Sequence, residues 1–428
     1  MNSMIFRGAR LLDPASGLDT VGDLLVEDDR IAAVGGDLSL AARGAEIIHA
    51  DGLCLAPGLV DMRVQLREPG AEHMESIESA GRAAAAGGVT TMVALPNTEP
   101  PVDDVSVVEF LARRAREVKL AKVHTYAAAT KGLLGHDLAE MGLLAANGAL
   151  GFTDGVQAVT EALVMRRILA YARTFDLLVL QHPEEPSLAR AGEVSEGETA
   201  TRLGLPAIPP IAEVIMIERD LRLVEITGAR YHVAHVSTAA GIDAIRRAKA
   251  QGLLVTCDTA PPYFTLNETA IGDYRTFTKL SPPLRSEGDR QAVVEGLRDG
   301  TIDAIASDHA PWGQDYKRLP FSSAAYGIVG LETLLPLSLE LYHNVHLTLL
   351  ELLRGLTSNP AGILRLPVGR LTPGAPADLV LFDLDQPWRI STDDFRSKSK
   401  NAPYDGRPVK GRVRRTVVDG RTIFCDER

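Results

Sequence analysis

Between about residues 56 and 365 the chain alternates short apolar, β-branched runs with longer helical stretches rich in Ala, Leu, Glu and Arg. Eight runs read as strands: Leu59–Val64, Thr90–Ala94, Lys122–Ala128, Leu150–Thr153, Leu177–Gln181, Tyr231–His235, Leu253–Cys257 and Ala304–Ser307. Helical segments such as Glu75–Ala86, Val105–Val118 and Thr160–Thr174 lie between them. Strands that alternate with helices pair in parallel through right-handed crossovers. Eight such units predict a closed barrel rather than an open sheet, which makes the fold class α/β with a (β/α)₈ TIM-type barrel at residues 56–365.

The two ends have a different rhythm. Residues 1–55 and 366–428 carry short strands punctuated by the turn signals Gly35-Gly36, Asp51-Gly52 and Asp419-Gly420. They predict a small β-rich lobe built from both termini, which brings the chain ends near each other.

Composition narrows the function classes. The chain has 428 residues, enough for a large core, and 45% hydrophobic with 24% charged residues is ordinary for a globular protein. Its net charge of −11 argues against nucleic acid or an anionic membrane as the main partner, while leaving room for a local basic pocket. Cys54, Cys257 and Cys425 are far apart, so neither a disulfide scaffold nor a zinc ribbon is expected, and a reducing cytoplasm is. The start MNSMIFRGARLLDP does not read as a secretory signal, and no run reaches the ~20 apolar residues that span a bilayer.

In barrels of this kind reactive groups sit where strands end. Those positions hold Asp61, Arg63, Gln65 and Arg67 where the first strand ends, Asn97 where the second does and Asp154 where the fourth does. The fifth ends in His182, the sixth carries His235, and the eighth runs into Asp308 and Trp312. His182, His235, Asp154 and Asp308 form a set able to converge on a divalent metal. Such a metal lowers the pKa of a bound water and polarises a carbonyl, with Asp308 shuttling the proton. Taken singly, each has a plain structural role: a hydrogen-bonded rim histidine, a turn aspartate before Gly155, a cap at Asp308.

The motifs Ala56-Pro-Gly-Leu-Val-Asp61, Leu66-Arg-Glu-Pro-Gly70, Ala94-Leu-Pro-Asn97-Thr98 and His232-Val-Ala-His235-Val-Ser-Thr238 recur together in one family. So do Lys279-Leu-Ser-Pro-Pro-Leu-Arg285, Ser307-Asp-His-Ala-Pro311, Tyr326-Gly-Ile-Val-Gly-Leu-Glu332 and Asn401-Ala-Pro-Tyr-Asp-Gly406. With them the chain resembles, over nearly its whole length, the dihydroorotases of the metal-dependent amidohydrolases. The resemblance implies a (β/α)₈ barrel with a small β-lobe, and the reversible ring closure of carbamoyl-aspartate to dihydroorotate in pyrimidine synthesis. It implies Asp154, His182, His235 and Asp308 as zinc ligands, Asp308 also as the catalytic acid/base. Arg67 and Asn97 match the residues that hold the substrate carboxylate, and Tyr326-Gly327 matches the loop backbone that contacts the pyrimidine ring.

Departures from the family pattern cluster at the same strand ends. The first-strand His-x-His pair, two ligands of one zinc, reads Arg63 and Gln65 here. Arginine stays protonated and has no acceptor, so it cannot ligate zinc. One zinc or none is therefore expected instead of two, with Arg63 pairing with Asp308 or Asp154 in the missing cation's place, or else pointing outward. Among substrate-binding positions, Ser281 replaces an asparagine and Trp312 replaces a histidine and is expected to close over the mouth. Two readings stay open: a catalytically silent partner of aspartate transcarbamoylase, or a working single-zinc dihydroorotase acting on a small pyrimidine precursor. The resemblance also implies a homodimer. Hydantoinase or allantoinase chemistry fits less well, because those relatives use a carboxylated lysine where this chain has Asp154.

Overall fold

The computed structural model describes residues 3–38 and 44–426. The outermost residues of the terminal segments (1–2 and 427–428) and residues 39–43 lie outside this description. Eight parallel strands form the barrel in chain order: Leu59–Val64, Val89–Ala94, Lys122–Ala127, Ala149–Phe152, Leu178–Gln181, Arg230–Val233, Val255–Thr259 and Ala304–Ile305. Alternate side chains face inward, and Val60, Met62, Val93, Tyr126, Leu178, Leu180, Ala304 and Ala306 pack into one interior cluster with Ala361 and Leu364. A second, larger cluster fills the space between the strands and the surrounding helices.

Two of the shifts in strand and helix limits from the sequence reading have a side-chain hydrogen bond behind them. The last strand stops at Ile305 rather than Ser307 because the Ser307 amide donates to the Asp61 carboxylate (3.1 Å). The barrel then closes through a parallel bridge, Val64 to His309, with the Gln65 amide donating to the His309 carbonyl at 2.9 Å. The first helix covers Ile77–Ala86, not Glu75–Ala86. Ser76 caps it by accepting from the Ser79 amide, and the buried Glu75 instead accepts from the Ser397 hydroxyl. In the pairing of the first two strands three residues step from Asp61 to Val64 while two step from Met92 to Ala94. This bulge re-aims the strand at the point where Arg63 leaves it.

Val194–Ser195 and Ala207–Ile208 pair as a separate two-stranded parallel sheet, and the strands of the two terminal segments make one mixed sheet. Its order is Arg421–Cys425, Pro408–Val418, Leu379–Arg389, Cys54–Pro57, Ser3–Asp13, Leu18–Glu27 and Arg30–Val34, with Glu46–His49 also on Ser3–Asp13. Asp419-Gly420 is a hairpin turn with both φ values positive (47° and 68°), the I′ geometry that fits the strand twist. A Cβ at Gly420 would lie 1.7 Å from the Asp28 carbonyl, so this turn also fixes how the two ends of the chain meet. Asp51-Gly52, in contrast, joins two short strands that both run parallel to Ser3–Asp13 and is no hairpin. Among the described residues no helix is long and apolar enough to cross a membrane.

Asp61 is a buried and incompletely satisfied acid in this frame. It is fully buried, one carboxylate oxygen has no partner, and burial pushes its pKa up to about 6. An ordinary unfolded aspartate titrates near 3.9, so the folded state holds the proton longer and stability falls as pH rises from about 4 to 6. Asp61→Asn removes that fall. Its stability relative to wild type is expected to improve by roughly 2 kcal/mol between pH 4.5 and 7 in urea unfolding. A difference independent of pH would show that Asp61 is ionised throughout.

Candidate active site

A cavity of about 560 Å³ opens at the C-terminal ends of the barrel strands and is lined by Arg63, Gln65, Arg67, Asn97, His182, His235, Ser281, Asp308, Trp312, Tyr326 and Gly327. A larger hollow of about 740 Å³ lies on the outer wall beside the helix Val105–Val118, away from the strand ends. Barrel chemistry belongs to the first. Three non-glycine residues around it, Arg67, His235 and Asp308, hold positive φ (60°, 38° and 51°). Backbone strain of that kind costs about 1–3 kcal/mol each and persists where surrounding structure fixes a side chain's aim.

Arg63, 2% exposed, sits at the centre. Its Nε donates to Asp308 Oδ1 at 2.8 Å, its Nη2 donates to the Gly155 carbonyl at 3.3 Å, and its Nη1 has no partner. Of the two carboxylates expected to compete for it, Asp308 is the one engaged. Asp154 turns to Thr130 instead, accepting from that residue's amide at 2.9 Å and hydroxyl at 2.5 Å. Burial raises the Asp154 pKa, and these donors only partly counter it. For Asp308, burial opposes ionisation, but the contact with His235 and the charge of Arg63 outweigh it and hold the carboxyl well below the usual range.

The two histidines are bonded to each other. His235 Nδ1 lies 2.9 Å from Asp308 Oδ2, and His235 Nε2 lies 2.7 Å from His182 Nδ1. Burial and the nearby Arg63 charge lower the His235 pKa, so its ring is neutral at pH 7. An ionised carboxylate only accepts, which puts the His235 proton on Nδ1 and leaves Nε2 to accept from His182 Nδ1–H. His182 Nε2 is then free to accept from the Ser281 hydroxyl, 3.4 Å away. A chain of directed hydrogen bonds therefore runs Ser281, His182, His235, Asp308.

These residues do not fit a metal as arranged. Two imidazole nitrogens on one tetrahedral zinc stand about 3.3 Å apart with the ion between them. Here Nδ1 and Nε2 meet directly at 2.7 Å with a proton in that place, and a guanidinium faces the same carboxylate. Asp154 is not brought together with the histidines, and no group of three or more His, Cys, Asp or Glu side chains among the described residues is arranged to hold a metal ion. Three of the four expected ligands, His182, His235 and Asp308, are thus gathered at one mouth but tied up in other bonds, and Asp154 is held by Thr130 instead.

On the substrate side, Asn97 Nδ2 donates to Gln65 Oε1 at 3.1 Å, so the two positions support each other. Arg67 Nε donates to the Pro311 carbonyl at 3.1 Å. Trp312 does not close the mouth: its ring lies 4.4 Å from the Arg67 guanidinium, and its indole N–H donates to the Tyr326 carbonyl at 2.7 Å. The reason is cation–π stacking plus that hydrogen bond, which pin the indole to the wall. Asn401 ties the adjoining loops together, accepting from the Trp312 amide and donating to the Ala310 and Gly327 carbonyls.

Several site residues escaped the sequence reading. Thr130 clamps Asp154 from a neighbouring strand end, and Glu184 lies 3.8 Å from His182 Nε2. The fully buried Lys317 donates to the Ala325 and Gly327 carbonyls beneath the Tyr326 loop, and burial pulls its pKa down to about 7. Glu184 was legible as a charged residue two places beyond a strand-end histidine. Thr130 and Lys317 had no comparable signal.

Residues 52–240 match the family model described as "Dihydro-orotase-like", and residues 224–424 match the "Amidohydrolase family" model. The chain is 48% identical to the "Dihydroorotase" of Anaplasma phagocytophilum (strain HZ), covering 99% of this chain and 96% of that relative. It is 44% identical to the "Dihydroorotase" of Syntrophus aciditrophicus (strain SB), covering 99% and 100%. Among solved structures, the L-hydantoinase (dihydropyrimidinase) from Arthrobacter aurescens matches with a TM-score of 0.87 at 26% identity, covering 99% of this chain and 96% of that one. Dihydropyrimidinase from Brevibacillus agri NCHU1002 shares the fold with a TM-score of 0.85 at 22% identity, covering 100% and 96%.

Proposed function

The chain belongs to the dihydroorotase family, and from that premise we propose that it serves pyrimidine synthesis as a catalytically silent dihydroorotase-like protein that assembles with aspartate transcarbamoylase. One observation carries this reading: the Arg63 guanidinium lines the site, paired with Asp308, while His182 Nδ1–H donates to His235 Nε2 and so occupies the ring nitrogens that would hold a metal. A fixed positive charge beside the histidines repels a cation and leaves no open coordination position. Family membership supports the place in pyrimidine metabolism. Three unpaired cysteines, two of them buried, suit work in the cytoplasm. The family's habit of pairing supports a homodimer.

The test uses the chain purified from cells grown in zinc-rich medium. Neither dihydroorotate hydrolysis nor carbamoyl-aspartate cyclisation is expected above background, and the protein is expected to co-elute with its own organism's aspartate transcarbamoylase on size exclusion. Robust turnover by the isolated chain ends the silent reading; separate elution at micromolar concentrations ends the assembly role.

A second reading is a single-zinc dihydroorotase. The retention of Asp154, His182, His235 and Asp308 at strand ends, and the name carried by relatives at 44–48% identity, favour it. It requires zinc to part the histidine pair and Asp154 to leave Thr130. Elemental analysis giving less than a few tenths of an equivalent of zinc eliminates it.

A further inference from the structure

The outer wall of the barrel lies open beside the start of its third strand, Lys122–Ala127. The helices outside the second and fourth strands, Val105–Val118 and Ala162–Thr174, are 14 and 13 residues long, whereas the one that follows the third strand, Met141–Ala146, has six. At about 1.5 Å per residue it spans about 9 Å of a layer that its neighbours cover for about 20 Å. The hollow of about 740 Å³ sits between Val105–Val118, the turn Asn147-Gly148 and the hairpin at Val418–Arg421. Its floor is apolar: Leu111 is buried, while Ala112, Ala115, Leu120 and Val123 are only half-buried. Covering such surface gains about 25 cal/mol per Å².

The charges around the hollow run against those of the chain as a whole. Arg116, Lys119, Lys122 and Arg421 line it against one acid, Asp419, although the net charge of the chain is −11. Lys122 is spent on Asp378 and Asp419, at 2.7 Å from each. Arg116, Lys119 and Arg421 are exposed and have no ion pair among the described residues, and Arg421 donates to the Lys119 carbonyl at 3.5 Å. Burial and the Lys122 charge lower the His124 pKa, so this lining residue stays neutral at pH 7.

We infer that this hollow is the seat of a partner protein, which enters it with an amphipathic helix whose apolar face covers the floor and whose flanking carboxylates pair with Arg116, Lys119 and Arg421. For the partner's identity the inference rests on the assembly reading above, which makes it aspartate transcarbamoylase. An apolar centre ringed by charge is the usual plan of a protein interface, and a helix laid in a groove fills it with an i, i+3, i+4 face. A small anion would call for donors converging on the floor, and here the unpaired cations stand at the rim. The hollow shares no lining residue with the cavity at the strand ends, so a partner seated there leaves the mouth of the barrel open.

Two charge reversals on the full chain test it. Arg116→Glu/Arg421→Glu changes the rim, and Arg222→Glu/Arg298→Glu makes the same change of charge on the helices Ile211–Thr227 and Glu287–Arg298, outside the hollow. Affinity for the transferase, read by biolayer interferometry at low salt, is expected to fall about tenfold or more in the first variant and to stay within about twofold in the second. Equal losses, or none, overturn the inference. So does a homodimer that the first variant splits while transferase binding is unchanged. If the wild-type chain does not bind the transferase, the assembly reading fails and a probe decides the hollow by itself: a helical peptide of about 14 residues with leucines on one face and flanking glutamates, compared with its lysine-flanked counterpart. The acidic peptide is expected to bind about tenfold more tightly than the basic one, and to lose that advantage in Arg116→Glu/Arg421→Glu. Equal binding of the two peptides, no binding of the acidic one, or an advantage that survives the reversal overturns the inference.

Discussion

Arg63→Met is expected to lower the unfolding free energy by about 3 kcal/mol, at the low end of the 3–5 kcal/mol typical of breaking a buried ion pair. The loss arises less from the attraction removed than from the charge left behind. Asp308 keeps 18% of its side chain open to the cavity while Arg63 keeps 3%, so the carboxylate regains some water but not full hydration. Burial alone would raise the Asp308 pKa; Arg63 is a main reason it stays low. A depressed carboxyl pKa contributes stability that is fully present above the unfolded value near 3.9 and lost only as pH falls toward the folded one. The measurement therefore belongs at pH 8, where the pair is intact in wild type and His235 is not recruited as a substitute cation. Asp308→Asn isolates the other half of the pair. The double variant Arg63→Met/Asp308→Asn is expected to be more stable than the sum of the single losses, by about 1 kcal/mol or more in a urea-unfolding cycle. A single-variant loss under 1 kcal/mol with no coupling would show that solvent already screens the pair.

The barrel was legible because its signals are periodic and repeated. All eight runs became strands, and the three helices named from the sequence formed, with ends moved by one or two residues. Strand limits were less legible because side chains end them. The Asp61 carboxylate takes the Ser307 amide out of the ladder, and no propensity reports that a residue 246 places earlier will do so. The site divides along the same line. That Arg63 could not hold zinc follows from guanidinium chemistry alone, and its two candidate partners could be named from strand order. Which of them it takes depended on Thr130, whose hydroxyl and amide occupy Asp154 from the neighbouring strand end. Trp312 was misread as a lid because bulk was weighed without its partner. An indole beside a guanidinium that lacks a carboxylate stacks on it, and the cavity stays open. The bond between His182 and His235 was out of reach of any spacing argument, since residues 53 apart in sequence meet only through the barrel's closure.

Placing histidine at both positions, Arg63→His/Gln65→His, is expected to raise zinc affinity by well over the 10–100-fold that a mere supporting residue contributes at metal sites. The double change removes a permanent cation, frees the Asp308 carboxylate, and adds two imidazoles to the strand end beside it. Three protein ligands with a position left for water is the usual arrangement of a catalytic zinc. Elemental analysis after dialysis against a weak chelator should read about one equivalent in the double variant and little in wild type. Gln65→His alone should gain almost nothing, because Arg63 remains, and that contrast separates repulsion from a simple shortage of ligands. Hydrolysis is not expected to return with the metal. His182 and His235 still satisfy each other, the Ser281 hydroxyl still faces His182, and Trp312 still covers one face of Arg67. A variant that binds zinc and turns over briskly would mean that the histidine pair opens readily, and that the lost first-strand ligands alone had silenced the barrel. Zinc gained without turnover would mean that the hydrogen-bonded chain from Ser281 to Asp308 is a resting arrangement stable enough to keep the second pair of imidazoles from any ion.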